Sequence, residues 1–269
     1  MIKASVIGHP IGHSKSPLIH GHWMERHGIE GSYRAIDIAP ESLREGVAEL
    51  AATGYAGFNV TVPHKIAVMD LCATLDDTAR AIGAVNTVII KDSLLHGRNT
   101  DAFGFIENLK QQAPDYRFDA PVMVLGAGGA ARAAVYALIE AGVPDIRIAN
   151  RSRDKAETLR ALAPERICAT GWDERGDLSG ISLVVNTTSL GMNDMPPLDM
   201  PLDTLARQSI VYDIVYAPLI TPLLGEAQRR GHRVVTGIGM LLHQARPAFA
   251  AWTGVMPQVD EALERKVLA

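Results

Sequence analysis

The chain has 269 residues, room for one large domain or two modest ones, and its 47% apolar fraction supports a substantial core. A formal net charge of −4 excludes the broad basic field that nucleic-acid binding needs. Cys72 and Cys168 are too far apart for a disulfide framework or a cysteine zinc site and suit a reducing cytoplasm, and no apolar run approaches the roughly 20 residues that cross a bilayer.

The start of the chain is too short and too soon broken for a signal peptide, and it reads as a strand over 4–7 stopped by Gly8. The sequence predicts a helix over 17–27, with Ser16 as N-cap and Pro17 in the favoured first position. A strand is expected over 32–38. Leu43, Val47 and Leu50 at helical spacing predict a helix over 41–52, with Gly54 as its stop. A strand over 57–60 follows, then a hairpin or bent strand pair over 86–90 and 94–96. Residues 101–112 read as a helix leading into Ala113-Pro114-Asp115, a plausible boundary.

The second half alternates strand and helix. A buried strand over 121–125, a helix over 128–141 and a strand over 145–149 form a βαβ unit, which requires a parallel sheet and a right-handed crossover. Further strands are expected over 183–186, 210–214 and 233–235, with a helix over 222–230 closed by Gly231. Two helices, 240–252 and 258–268, end the chain. There is no internal repeat.

The apolar run Val122-Met123-Val124-Leu125 enters Gly126-Ala127-Gly128-Gly129-Ala130-Ala131 directly. This is a phosphate-cradling turn in its required setting of strand, glycine-rich turn and helix. Gly126 permits the tight turn, Gly128 leaves room for a pyrophosphate, and Ala131 lets helix and sheet approach. The other reading is a tight strand–helix turn with no ligand. The next strand runs into Asn150, Arg151, Ser152, Arg153 and Lys155, with no carboxylate at its end to hold a ribose 2′-hydroxyl. Those cations suit a 2′-phosphate, so NADP(H) is expected over NAD(H), unless they are a solvated helix start.

Two groups elsewhere can handle a proton. Lys65 closes Asn59-Val60-Thr61-Val62-Pro63-His64-Lys65, and Asp101 closes Asn99-Thr100-Asp101. Alone, each has an ordinary explanation, a surface lysine and a helix cap. Reducing a ketone leaves charge on its oxygen, which needs a proton donor such as an ammonium, while a carboxylate can accept a substrate hydroxyl. Ser14, Ser16, Asn59, Thr61, Asn86 and Gln244 add neutral donors and acceptors suited to a polyhydroxylated ligand, although any one could be a turn or cap residue. His9, His13, His20 and His22 lie across a loop and a helix start without an evident acidic or cysteine partner set, so no metal is expected.

With these segments the chain resembles the shikimate dehydrogenase family. The matching stretches are Gly8-His9-Pro10-Ile11-Gly12-His13-Ser14-Lys15-Ser16-Pro17, the Asn59 to Lys65 segment, Gly83-Ala84-Val85-Asn86-Thr87, Asn99-Thr100-Asp101, the glycine turn, Asn150-Arg151-Ser152, Asn186-Thr187-Thr188-Ser189-Leu190-Gly191-Met192, and Gly237-Ile238-Gly239-Met240-Leu241 with Gln244. They run in order along nearly the whole chain. The resemblance implies an α/β fold of two lobes with the active site in the cleft between them. Residues 1–101 would bind substrate, 102–236 would form a Rossmann-like NADP-binding domain, and the helices of 237–269 would return to the first lobe.

It further implies NADPH-dependent reduction of 3-dehydroshikimate to shikimate in aromatic amino acid biosynthesis, by a cytoplasmic monomer or homodimer. Lys65 and Asp101 would be the catalytic pair. Ser14, Ser16, Asn59, Thr61, Lys65, Asn86, Asp101, Tyr216 and Gln244 would contact substrate. Gly126, Ala127, Gly128, Gly129, Ala130, Asn150, Arg151, Ser152 and Lys155 would contact cofactor, with Thr188, Ile214, Gly237 and Met240 on the nicotinamide side and Asp77 as a further cofactor-side candidate. Two positions depart from the family pattern: Ala102 stands where Gly is frequent, and Lys155 where Arg is frequent, a point charge in place of a bidentate fork. A dual quinate/shikimate dehydrogenase and a non-catalytic NADP-binding regulator on the same fold are the alternatives. The missing carboxylate at Asn150 argues against the first, and the retained Lys65 and Asp101 against the second.

Overall fold

Two units emerge from the computed structural model, which describes residues 1–269: Met1–Thr100 with Leu242–Ala269, and Asp101–Leu241. The first begins with strand β1 (Ile2–Gly8), helix α1 (Ser16–Arg26), strand β2 (Gly31–Asp37), helix α2 (Leu43–Ala52) and strand β3 (Gly57–Val60). Helical crossovers make β1 parallel to both β2 and β3. Strand β4 (Thr74–Leu75), helix α3 (Asp77–Ile82) and the hairpin β5 (Thr87–Lys91) and β6 (Leu94–Arg98) follow. The sheet order is β2-β1-β3-β5-β6-β4, with β5 antiparallel to β3 and β6. One apolar cluster joins Val47 and Leu50 of α2 to Phe58 of β3 and Val88 of β5.

Local chemistry explains where sequence and structure part. Helix α1 starts at Ser16 itself, its cap is Lys15, and no side chain caps it. The expected Ser16 cap is therefore corrected: the Ser16 N–H instead donates to Ser14 Oγ at 3.3 Å. Residues 67–82, where the sequence reading assigns no element, hold a 3₁₀ turn (Ala67–Leu71), β4 and α3. Helix α3 is set by its ends, with Asp76 Oδ1 accepting from Ala79 N at 2.7 Å and Gly83 at φ 71° closing it.

The second unit opens with helix α4 (Asp101–Gln112). It continues through β7 (Val122–Leu125), α5 (Gly129–Glu140), β8 (Ile146–Asn150), α6 (Arg153–Leu159), β9 (Ile167–Gly171), β10 (Leu183–Asn186), β11 (Ile210–Asp213), α7 (Pro222–Arg229) and β12 (Arg233–Val235). All strands are parallel, in the order β12-β11-β10-β7-β8-β9. This is the doubly wound dinucleotide-binding order, whose direction reverses between β7 and β10. The strands are continuous apolar runs because helices cover both faces. Helix α4 belongs here: Asn108 Nδ2 donates to Tyr212 Oη and to Thr236 O, both at 2.8 Å. The stretch 113–115 is thus no boundary, and Ala113 is buried.

Helices α8 (Ile238–Thr253) and α9 (Glu261–Leu268) end the chain, with 242–269 packed in the first unit. Trp23 Nε1 donates to Gln258 O at 3.1 Å, and Arg26 pairs with Asp260. Trp252 Nε1 donates to Val88 O at 3.1 Å. Gly57 makes that approach possible, since a Cβ there would overlap both atoms of this bond. Gly57→Ala is expected to cost about 2 kcal/mol, the usual scale of overpacking, as a lower denaturant midpoint for the first unit.

Candidate active site

In the first unit, the loops after β1 and β3 lie side by side. Thr61 N donates to Ile7 O at 2.9 Å, and His9 N to Val62 O at 3.1 Å. The β1 loop is clasped by Asp37: His9 Nδ1 donates to Oδ1 at 2.6 Å and Ile11 N to Oδ2 at 3.1 Å. Both contacts hold the Asp37 carboxyl below its ordinary range. The clasp fixes the segment carrying half-buried Ser14 and Ser16. The β3 loop is anchored by buried His64, whose Nε2 donates to Ile38 O at 2.6 Å. Next to it, half-buried Lys65 accepts from Val85 N through its carbonyl at 2.8 Å.

Asn86, 2% exposed, stands beside this loop. Its Nδ2 donates to Thr100 Oγ1 at 2.9 Å and to Gln244 Oε1 at 3.3 Å. Ser14, Ser16, Asn59, Thr61, Lys65, Asn86 and Gln244 are all in this unit, while Asp101 opens α4 as the first residue of the second. Asn59 is 6% exposed, and its amide bonds within the protein on both sides.

In the second unit, Gly126 follows β7 at φ 105°, where a Cβ would be strained and 2.8 Å from Thr187 Oγ1. Thr187 follows β10, so this close approach lies at the point where strand order reverses, the ligand crevice of doubly wound sheets. Gly128 and Gly129 differ. A Cβ on either meets nothing within 4 Å, and Gly128 at φ −86° has a backbone any residue adopts. Neither packing nor conformation requires glycine there, so what the missing side chains provide is open space over backbone N–H groups. The first turn of α5 has no acidic residue and no side-chain cap, which leaves its positive end to an external anion. Gly126, Ala127, Gly128, Gly129 and Ala130 therefore fit a diphosphate.

At the end of β8, Asn150 Nδ2 donates to Ser152 O at 2.8 Å and shapes the turn into α6. Arg151, Ser152, Arg153 and Lys155 are exposed. The neighbouring ion pairs are Arg147 with Asp145 and Arg160 with Glu157, which leave those cations outside them.

Thr188 and Tyr216 sit on two loops organised by one buried carboxylate. Asp213 Oδ1 accepts from Asn186 Nδ2 at 2.9 Å and Val215 N at 3.0 Å, and Oδ2 from Thr221 Oγ1 at 2.7 Å. Asn186 Oδ1 in turn accepts from Thr188 N at 3.0 Å and Thr188 Oγ1 at 2.7 Å. Burial pushes the Asp213 carboxyl up, against these three bonds, and also raises the Tyr216 phenol. Ile214 and Gly237 touch: a Cβ on Gly237 would overlap Ile214 O, so the start of α8 seats on the end of β11. Met240 lies three residues further along α8. Asp77 belongs to the first unit, with its side chain 99% exposed and bonded to Arg80.

Comparison with known proteins bears on these two sets of residues. Residues 6–88 match the model of the shikimate dehydrogenase substrate binding domain, 108–174 that of shikimate / quinate 5-dehydrogenase, and 237–265 that of the shikimate 5'-dehydrogenase C-terminal domain. Shikimate dehydrogenase (NADP(+)) of Paracoccus denitrificans is 50% identical over 269 residues, covering 99% of this chain and 95% of that protein. The chain belongs to the shikimate dehydrogenase family. Among solved members of the fold, shikimate 5-dehydrogenase of Thermus thermophilus in complex with NADP(H) and shikimate is 36% identical with a TM-score of 0.89, covering 99% of this chain and 98% of that one. Quinate dehydrogenase of Corynebacterium glutamicum in complex with NAD is 30% identical with a TM-score of 0.92, at 99% and 98% coverage.

Three of the four N-terminal histidines have separate surroundings. His9 pairs with Asp37, and His22 lies 3.8 Å from Asp260, acidic partners that sequence did not reveal. His20 is fully buried, stacked on Tyr33 at 4.1 Å, and burial lowers its pKa to about 3, so it is neutral. No group of three or more His, Cys, Asp or Glu side chains is arranged to hold a metal, and no helix is long and apolar enough to cross a membrane. Sequence reasoning gave no role to Tyr33, Thr87, Thr100, Asn186 or Asp213. The available signal was a polar residue at the end of an apolar strand, as at Asn186 after Leu183-Val184-Val185 and Asp213 after Ile210-Val211-Tyr212.

Proposed function

We propose that this chain catalyses the reversible NADPH-dependent reduction of 3-dehydroshikimate to shikimate, in aromatic amino acid biosynthesis, as a cytoplasmic monomer or homodimer. The observation that carries this reading is near-full-length identity of about one half to shikimate dehydrogenase (NADP(+)) of Paracoccus denitrificans. NADPH, when bound, supplies the hydride that reaches the carbonyl carbon. The rest is the work of the chain. Lys65 donates a proton from Nζ to the oxygen as negative charge builds there, and takes it back in the reverse direction. Asp101 accepts a hydrogen bond from the neighbouring substrate hydroxyl and fixes the ring relative to Lys65. Hydroxyls of Ser14 and Ser16 hold the carboxylate, and Thr61, Asn86, Tyr216 and Gln244 hold the substrate hydroxyls. Domain roles follow: the first unit with 242–269 binds substrate and the second binds cofactor.

Gly126 to Ala130 hold the diphosphate. Asn150, Arg151, Ser152 and Lys155 hold the adenosine end, and Thr188, Ile214, Gly237 and Met240 border the nicotinamide, with Asp77 on the cofactor side. The open backbone at Gly128 supports a dinucleotide, and the unpaired cations after β8 support NADP(H) over NAD(H). Arg151→Ala is expected to raise KM for NADP roughly thirty-fold, the loss of a charge-assisted bond, while KM for NAD stays within about two-fold. The test of the activity is absorbance of the reduced nicotinamide with shikimate plus NADP, then NAD, then quinate. Faster turnover of quinate with NAD would replace this reading with that of a quinate dehydrogenase.

A further inference from the structure

The amide of Asn86 is held by a directed chain of hydrogen bonds that begins well inside the first unit. Tyr33 Oη donates to Asn59 Oδ1 at 2.7 Å. Asn59 Nδ2 donates to Thr87 Oγ1 at 3.0 Å and to Asn86 O at 3.1 Å. Thr87 Oγ1 donates to Asn86 Oδ1 at 3.1 Å. Thr100 N also donates to Asn86 Oδ1, at 2.9 Å. A backbone N–H can only donate, so the atom facing Thr100 is the amide oxygen, and the direction of every other bond follows. Asn86 Nδ2 is left to point at Thr100 Oγ1 and Gln244 Oε1.

Thr87 is the joint of this chain. It is 0% exposed, so it touches no ligand, and in the register of the sheet it stands opposite Asn59. Its single hydroxyl accepts from one amide and donates to the other. A hydroxyl is the only group of that size that does both. Asn59 is committed in the same way: both amide hydrogens and the oxygen are bonded inside the protein. Asn59, which the sequence places among the substrate contacts, also bonds Asn86 from behind, through the Asn86 carbonyl and through Thr87. Upstream, the Tyr33 ring is fixed by its stack on neutral His20.

We infer that Thr87, together with Asn59, is a positioning residue for substrate binding, acting through Asn86 and Gln244. The inference rests on the reading that Asn86 contacts shikimate. Without the Thr87 hydroxyl, the Asn86 oxygen keeps Thr100 N and Thr100 Oγ1 but loses the donor that ties it back to Asn59, so the amide is held less rigidly toward substrate.

The test uses the full chain and three variants. Thr87→Val keeps the shape and the β-branch but removes the hydroxyl, and Thr87→Ser restores it. Thr87→Val loses both bonds of the hydroxyl and is expected to raise KM for shikimate about ten-fold, the scale of the lost bond to Asn86, with KM for NADP within about two-fold. Thr87→Ser is expected to stay within about three-fold of the parent for both. Asn86→Ala is the control and raises KM for shikimate. If Asn86→Ala leaves that KM unchanged, the reading of Asn86 fails and this inference with it. If Asn86→Ala raises it but Thr87→Val does not, this inference alone is overturned. Equal damage in Thr87→Val and Thr87→Ser, or an equal rise in KM for NADP, also overturns it, since a general loss of structure would do the same. Should Thr87→Val fail to fold, Thr87→Ala carries the same expectation.

Discussion

Lys65→Ala is expected to lower kcat for shikimate oxidation about a thousand-fold, within the range that a positioned proton-transfer group contributes, while KM for shikimate changes by about three-fold or less. Hydride transfer leaves an alkoxide, and an alkoxide beside neutral hydroxyls and amides has nowhere to place its charge. Ser14, Ser16, Thr61, Asn86 and Gln244 all bind oxygen, but none gives up a proton readily. Within the first unit, the lysine follows a loop pinned by buried His64 and tied through its own carbonyl to Val85. These anchors are backbone and neighbour contacts, so alanine keeps them. The expected split between kcat and KM therefore separates a chemical role from a binding one. Shikimate affinity from equilibrium titration and initial rates with saturating NADP check it. A fall in affinity with kcat intact makes Lys65 a binding residue only, and turnover equal to the parent removes it from the mechanism.

The sequence revealed much of this layout because the relevant signals are local. The Gly126 turn announces itself through glycines after a four-residue apolar strand, and β7, α5 and β8 fall within a residue or two of their expected limits. The helix expected over 101–112 is α4, with those bounds. Other features were hidden because they depend on partners distant in the chain. Nothing near Thr87 in sequence reveals that Asn59 will stand across from it, because that pairing is made by sheet register. Asp37 looks like an ordinary strand end until the β1 loop folds over it. The elements within 67–82 stay hidden for a different reason: they are too short to complete a hydrophobic period, and the ends of α3 are set by capping.

Asp213→Ala is expected to destabilise the second unit by about 4 kcal/mol, because it strips partners from several buried donors at once. The carboxylate is 0% exposed and receives Asn186 Nδ2, Val215 N and Thr221 Oγ1. Alanine leaves all three donors facing a small cavity, and each unsatisfied donor costs about 1–3 kcal/mol. Some relief is available, since Asn186 Nδ2 keeps a bond to Leu190 O, so the three costs do not add in full. Asp213→Asn is the informative companion. It retains the volume and one acceptor oxygen, and its NH₂ can donate to Thr221 Oγ1, so a loss of about 1–2 kcal/mol is expected. Functionally, the two loops that carry Thr188 and Tyr216 share this anchor. The alanine variant is therefore expected to raise KM for NADP several-fold even where it remains folded, whereas the asparagine variant stays nearer the parent. Amide exchange in β10 and β11 reads the stability directly in this unit, apart from unfolding of the first. Unchanged protection there in Asp213→Ala would mean that the carboxylate is not an anchor and that the loops are held by packing of Leu190 and Val215 alone.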